Sequence, residues 1–583
     1  MRSASPGGEN ALANLGLALL GGVLAIAGIL WGAGHIAAFV LGTTPPAADI
    51  TGGFGVLARP WDPATPLEAA GLHPVAYWVT VTLLTAISGV AGWGGWRLFH
   101  TPRNQPTDLH HLDGTATRGE VGKTASARAL TKKAAALRPS LPNATAAQLG
   151  YFLGRAAGKE VWATVEDSML LIGPPRSGKG AHIVINAILD SPGPVVTTST
   201  RPDNLAITMN ARAAQGPVYV FDPQRLAEGI AAGAKWSPVR GCEDPTTAMI
   251  RAAGLAAATG FGGVEAGNFW EGKTRVAIQC LLHAAALDHR TPADLYQWTL
   301  NPAAARDAAR ILATNPDATP GWADALDGML LSDPRTRDSI WHGVSLAFAA
   351  LADPRVLAAV SPRPGEEFDP ARFLAENGTL YLLATGAGAS SSAALVAALI
   401  EDLVEVARRK AARSPRARLD PPLLMALDEI GNLAPLPSLP TLMAEGGGTG
   451  ITMLPVLQSL ATAREKWGEH NAATIWDAAI VKIILGGGSN PKDLHDLSSL
   501  LGDRDEETTS TTIDGHGNRS TQTSLRRVPV MGTEAIRTMP LGTGLILLRT
   551  SRPIIASLRF WKTRPDATQL EAQEARFAEH LAP

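Results

Sequence analysis

Charged residues are missing from Asn10 to Ala48, and the interior "ALANLGLALLGGVLAIAGILWGAGHIAAFVLG" is almost wholly apolar. About 20 helical residues suffice to cross a bilayer core. A second uncharged run, Leu72 to Trp96, has Trp78 near one end and Trp93 and Trp96 at the other, as an interfacial aromatic belt would. The pattern predicts a transmembrane region over 1–99 with two helices, about 12–41 and 73–96, joined by a short external loop. A cleaved signal peptide fits less well, because the first run is too long for an apolar signal core and a second span follows it. Buried core helices are also a poor fit, since they seldom exceed about 14 residues without a charge.

The flanks set the expected orientation. Eight Lys or Arg stand against three acids between Arg97 and Arg138, whereas the loop from Thr43 to Gly71 holds Arg59 as its single basic residue. Positive flanks stay inside. The expectation is a multi-pass protein of the cell membrane, with both termini and the bulk of the chain cytoplasmic. Residues 100–145 read as a basic cytoplasmic linker close to anionic lipid.

Beyond the linker the pattern changes to short apolar runs alternating with helical spacing. "MLLI", "PVVTTST", "PVYVFDP", "GTLYLLATG", "LLMALDE", "GITMLPVLQ", "IVKIILGGG" and "GLILLRT" are the strand candidates. Such alternation predicts an α/β fold with a parallel or mixed sheet and a ligand at the carboxyl ends of its strands. The β signal stops over 246–359, where Ala- and Leu-rich segments at helical spacing predict an all-α insertion subdomain. The α/β domain is therefore expected over 146–245 and 360–562, with a C-terminal tail over 563–583. "TTSTTIDGHGNRSTQTSLRR", Thr508 to Arg527, reads as a polar hairpin or mobile loop from the turn signals at Asp514-Gly515 and Gly517-Asn518.

Composition narrows the function little. A chain of 583 residues has room for several domains, and its net charge of -2 excludes a globally basic nucleic-acid coat without excluding a basic channel. Cys242 and Cys280 match neither a disulfide framework nor a metal-ligand spacing, and read as buried thiols.

The chemistry sits in "MLLIGPPRSGKGAHIVINAIL", Met169 to Leu189. A strand, a glycine turn and a helix follow in order, and Gly173, four residues, then Gly178-Lys179 fit a phosphate-binding loop. Gly173, Pro174, Pro175, Arg176, Ser177, Gly178, Lys179, Gly180 and Ala181 are the candidate nucleotide-binding residues. Backbone N–H groups would cradle phosphate oxygens, and Lys179 would reach the β and γ phosphates. The expected ligands are ATP and Mg²⁺. Gly180 stands where such loops normally carry the Ser or Thr that touches Mg²⁺, so a second half-site is needed to support the reading.

"PLLMALDEIGN", Pro422 to Asn432, supplies it: an apolar strand ending in Asp428 and Glu429 has the form of a Walker B strand. Asp428 is the candidate metal residue and Glu429 the candidate general base for the attacking water. Gln458 ends the next strand and is the candidate sensor of the γ phosphate.

Together these segments resemble the type IV coupling proteins, the TraG/TraD-like membrane ATPases of conjugation and type IV secretion. The likeness rests on two N-terminal spans, "GPPRSGKG", "VYVFDPQ", "KWSPVRGC", an all-α insertion, "LLMALDEIGNL", "LPVLQSLATAREKWG" and "LSSLLGDRDEETTS" in order. It implies a RecA-like P-loop NTPase in which Gly180 is a tolerated variant, Lys179, Glu429 and Gln458 are catalytic, and Asp428 coordinates Mg²⁺. It also implies a homo-hexamer that delivers single-stranded DNA, with attached relaxase, to type IV secretion channel components. One departure stands out: relatives often carry basic residues before the sensor strand, where this chain has "AEGGGTGITM". Arg464 and Arg504 are the candidates for a trans-acting arginine. Two other readings use the same residues, a double-stranded DNA translocase and a non-hydrolysing membrane docking platform for secretion substrates.

Overall fold

The structure, a computed structural model, describes residues 8–100, 109–227, 229, 233–259, 267–385, 391–513 and 519–581. Two compact units divide the chain, Met1–Thr107 and Asp108–Pro583. In the first, helices Gly8–Leu41 and Pro74–His100 are joined by a loop containing the short helix Gly52–Ala58. Segments Gly21–Leu41 and Pro74–Trp93 are long and apolar enough to cross a membrane. Indole and phenol groups fasten the pair at one end: Tyr77 Oη donates to Leu30 O at 2.9 Å, Trp31 Nε1 to Ala48 O at 2.8 Å and Trp78 Nε1 to Pro60 O at 2.8 Å. Each bond satisfies the polar tip of a largely apolar ring.

The second unit is mixed α/β. Its strands are β1 (Gly150–Ala156), β2 (Lys159–Thr164), β3 (Met169–Ile172), β4 (Val195–Ser199), β5 (Val218–Phe221), β6 (Thr379–Leu383), β7 (Leu423–Leu427), β8 (Ile451–Leu457), β9 (Val481–Leu485), β10 (Asp503–Ile513), β11 (Arg519–Pro529), β12 (Thr543–Leu548) and β13 (Ile554–Leu558). Eleven form one sheet in the order β2-β1-β13-β12-β9-β3-β8-β7-β4-β6-β5. From β9 to β5 the pairs are parallel, and the four strands beyond β9 add antiparallel. Helices on both faces explain why β4, β6, β7 and β8 are buried along their whole length: a covered parallel strand has no wet side to alternate with.

All eight strand candidates are strands here. β1, β2 and β13 are not among the candidates: β1 and β2 are interrupted by Gly, Arg, Lys and Glu, and β13 is the brief run "IIASL". The ribbon β10–β11 pairs Asp503 with Pro529 through Ile513 with Arg519. Its turn signals at 514–518 lie outside the described residues. The described part of the expected 100–145 linker holds short helices that bury Val121, Leu130 and Leu137 against the β1–β2 end of the sheet, and Leu149 just after it joins them. Their apolar spacing is too brief to register as periodic. The C-terminal helix Ala567–Leu581 packs on the helix Asp203–Ala213, with Leu570 buried.

Helices fill the region between β5 and β6, running from Pro245–Ala257 to Pro354–Ala359. His283 is a core residue, its Nδ1 2.7 Å from Cys242 O and its Nε2 accepting from Thr319 N at 3.1 Å. Cys242 and Cys280 are free and buried, and burial pushes both thiols up to about 12. A buried ion pair pins these helices to the sheet-covering helix Ala393–Ala412: Arg251 Nη2 donates to Asp402 Oδ2 at 2.9 Å, with the guanidinium 5.1 Å from the Trp236 ring centroid. Removing one partner of such a pair strands the other charge in the core. Asp402→Ala is therefore expected to cost on the order of 3–5 kcal/mol, read as a large fall in the melting temperature of the full-length protein; a shift within error would contradict this.

Candidate nucleotide site

β3, β8 and β7 lie side by side, and their parallel registers, Ile172 with Leu457 and Leu427 with Pro455, bring three loops to one carboxyl edge. The phosphate loop leaves β3, Gln458 follows β8, and Asp428-Glu429 follow β7. Gly173 N donates to Leu457 O at 3.0 Å, so the loop opens directly beside the residue preceding Gln458. Gln458 and Pro174 line one cavity together with Asn490 and Asp493.

The loop's shape depends on its glycines. Gly178 has φ +85°, and a Cβ there would stand 2.7 Å from His182 Cδ2. A Cβ at Gly173 would meet Ser177 Oγ at 2.5 Å and Lys179 Cγ at 3.1 Å, so any side chain would fill the cradle. Arg176 adopts a left-handed φ of 64°. At Gly180 the situation is opposite, because a Cβ meets nothing within 4 Å. The missing hydroxyl is thus not excluded by crowding. From Gly180 to Val184 the chain takes one π-helical turn before the α-helix Ile185–Asp190. Such bulges occur often at functional sites.

Ser177 Oγ and Asp428 Oδ1 are among the buried polar atoms that lack a partner within the protein. Buried polar groups are ordinarily paired. Their presence beside the buried Lys179 fits a phosphate and cation ligand set drawn from the donors and acceptors present. Burial pushes the Asp428 carboxyl up to about 6, against the attraction of the Lys179 ammonium, with the adjacent Glu429 charge adding to the rise.

Glu429 has a left-handed backbone, φ 52° and ψ 30°, and opens the short helix Ile430–Leu433. A non-glycine residue held there is strained, a condition frequent at functional sites. What holds it comes from β4, the strand on the far side of β7. Thr200 Oγ1 donates to Glu429 Oε2 at 3.0 Å and Thr198 Oγ1 to Asp428 O at 2.8 Å. Sequence reading missed both threonines, since a Thr run inside "PVVTTST" is ordinary strand composition. The two arginine candidates are engaged within the chain: Arg464 Nη2 donates to Asp493 Oδ1 at 2.8 Å and Arg504 Nη2 to Glu506 Oε1 at 3.1 Å.

The pH behaviour of Asp428 follows from its environment. A carboxyl titrating near 6 when folded and near 3.8 when unfolded makes the nucleotide-free fold lose stability as pH rises between those values. Asp428→Asn is expected to stabilise the nucleotide-free protein at pH 8 by on the order of 1–3 kcal/mol, with the gain vanishing as pH falls to about 4. Melting temperatures of the two proteins across that range check it; a destabilised variant at pH 8 would contradict it.

Comparison with known proteins gives the site a setting. Residues 422–541, which include Asp428, Glu429 and Gln458, match the family described as "TraM recognition site of TraD and TraG". The unbound conjugative coupling protein TrwBdeltaN70 superposes with a TM-score of 0.52 at 18% identity, covering 76% of this chain and 94% of that one. TrwB in complex with ADP and Mg²⁺ gives 0.51 at 17% identity, over 75% and 94%. TrwB with a non-hydrolysable ATP analogue gives 0.51 at 17%, over 75% and 93%. Among curated proteins no significant match is found. The domain match over 422–541 is to a segment of TraD and TraG, and the fold over three quarters of the chain is similar to that of the coupling protein TrwB.

Proposed function

We propose that the chain is a membrane-anchored ATPase that couples ATP hydrolysis to delivery of single-stranded DNA, with an attached relaxase, into a type IV secretion channel. The observation that carries this reading is the gathering of the phosphate loop, Gln458 and the Asp428-Glu429 pair at the tips of three neighbouring strands. The placing of the unpartnered Ser177 Oγ and Asp428 Oδ1 on two of those tips favours a ligand-binding site over an inert platform.

In this reading the loop N–H groups cradle the α and β phosphates and Lys179 reaches the β and γ phosphates. Asp428 and Ser177 face the metal side of the same ligand. Mg²⁺, when bound, supplies neutralisation of phosphate charge. Glu429 accepts a proton from the attacking water, and the Thr200 hydroxyl fixes the orientation of its carboxylate. Gln458 reads the γ phosphate from the intervening strand. The two long apolar helices anchor the protein in the cell membrane, and subunits assemble as a homo-hexameric ring around the DNA. A TraM-like partner would dock on the domain around 422–541. With a net charge of -2, DNA contact is local to the ring's lining and made to phosphates, not through a basic exterior.

Purified full-length protein is expected to hydrolyse ATP, faster with single-stranded DNA than without. Lys179→Ala is expected to lower that turnover at least a hundredfold while leaving the melting temperature close to wild type. Equal turnover in the two proteins would reject the site, and stimulation by duplex alone would reject the single-stranded cargo.

A further inference from the structure

The phosphate loop fixes where the phosphates lie and therefore where the nucleoside emerges. The loop and the first turn of the following helix cradle the α and β phosphates, so the sugar and base project past Gly178–His182. Two apolar side chains from distant parts of the sequence flank that turn. Leu541 is 72% exposed. It nonetheless lies against the loop, because a Cβ on Gly178 would stand 2.9 Å from Leu541 Cδ1. Phe560 is half-buried, with its ring 5.3 Å from the His182 ring and packed into the cluster that contains Ala181, Ile185 and Trp561.

β12 and β13 bring the two together. The strands pair antiparallel, Thr543 with Ser557, and Leu558 N donates to Gly542 O at 2.7 Å, so the residues before β12 and after β13 share one end of the ladder. Gly542, at φ +82°, lets this end close on His182: a Cβ there would be 3.4 Å from His182 Cε1. His182 Nδ1 is buried without a partner in the protein.

We propose that Leu541 and Phe560, flanking the His182 ring, form an apolar shelf for the base of the bound nucleotide. The inference rests on the nucleotide-site reading above. Methyl and ring faces grip a planar base by stacking and apolar contact and impose no fixed donor–acceptor pattern, so adenine and guanine are accepted alike.

Calorimetric titration of the detergent-solubilised full-length protein with ADP, GDP and inorganic pyrophosphate, each with Mg²⁺, tests this. Wild type is expected to bind ADP and GDP within about threefold of each other. Leu541→Ser and Phe560→Ala are each expected to weaken ADP roughly tenfold, the lower end of a base-stacking contribution, with pyrophosphate affinity within about twofold of wild type. Leu541 is exposed, so its variant decides the matter if Phe560→Ala fails to fold. Unchanged ADP affinity in Leu541→Ser, or parallel loss of pyrophosphate, would overturn the shelf. Failure of wild type to bind either ADP or pyrophosphate would instead overturn the nucleotide site itself.

Discussion

The register of three adjacent parallel strands is the constraint on which the site depends. Side chains alternate along a strand, so slipping β7 or β3 by one residue against β8 would turn Asp428 or the start of the phosphate loop to the opposite face. Complete burial holds that register in place. Leu423 to Leu427 and Ile451 to Leu457 have no exposed position, and any slip would carry the polar residues that follow them into the core. The sheet thereby places a desolvated carboxyl opposite an ammonium group, an arrangement that costs stability without a ligand and strengthens every electrostatic contact with one.

Much of this was legible from sequence because buried parallel strands are nearly continuous apolar runs. "LLMAL" and "MLLI" end abruptly in chemistry-bearing residues, and that abruptness is the signal. The antiparallel extension was harder to read. β1 reads "GYFLGRA" and bends around Gly154, and its membership of the sheet depends on pairing with β13, some 400 residues later in the sequence. The threonines behind the acids were invisible for a different reason: their role arises from β4 being the next strand beyond β7, a fact of topology and not of composition.

The helical region between β5 and β6 illustrates how an insertion is made rigid. Its core joins that of the sheet's covering helices in one apolar cluster, and Arg251–Asp402 adds a directional tie across the junction. Buried charge pairs contribute little net stability. Their geometry is demanding, however, and here it links Trp236, Arg251 and Asp402 from three separate stretches of chain.

Asp190 ends the helix that begins beneath the phosphate loop, and it is held by two arginines from beyond β13: Arg564 at 2.7 Å and Arg559, whose guanidinium also lies 4.9 Å from the Phe152 ring centroid. The last stretch of polypeptide is therefore a foundation stone of the loop and not a dispensable appendage. A version trimmed before Arg559 would leave Asp190 without its counter-charges at the end of the helix that follows the glycine loop. Shortening this protein for crystallisation or assay is safest from the end that carries the two long apolar helices.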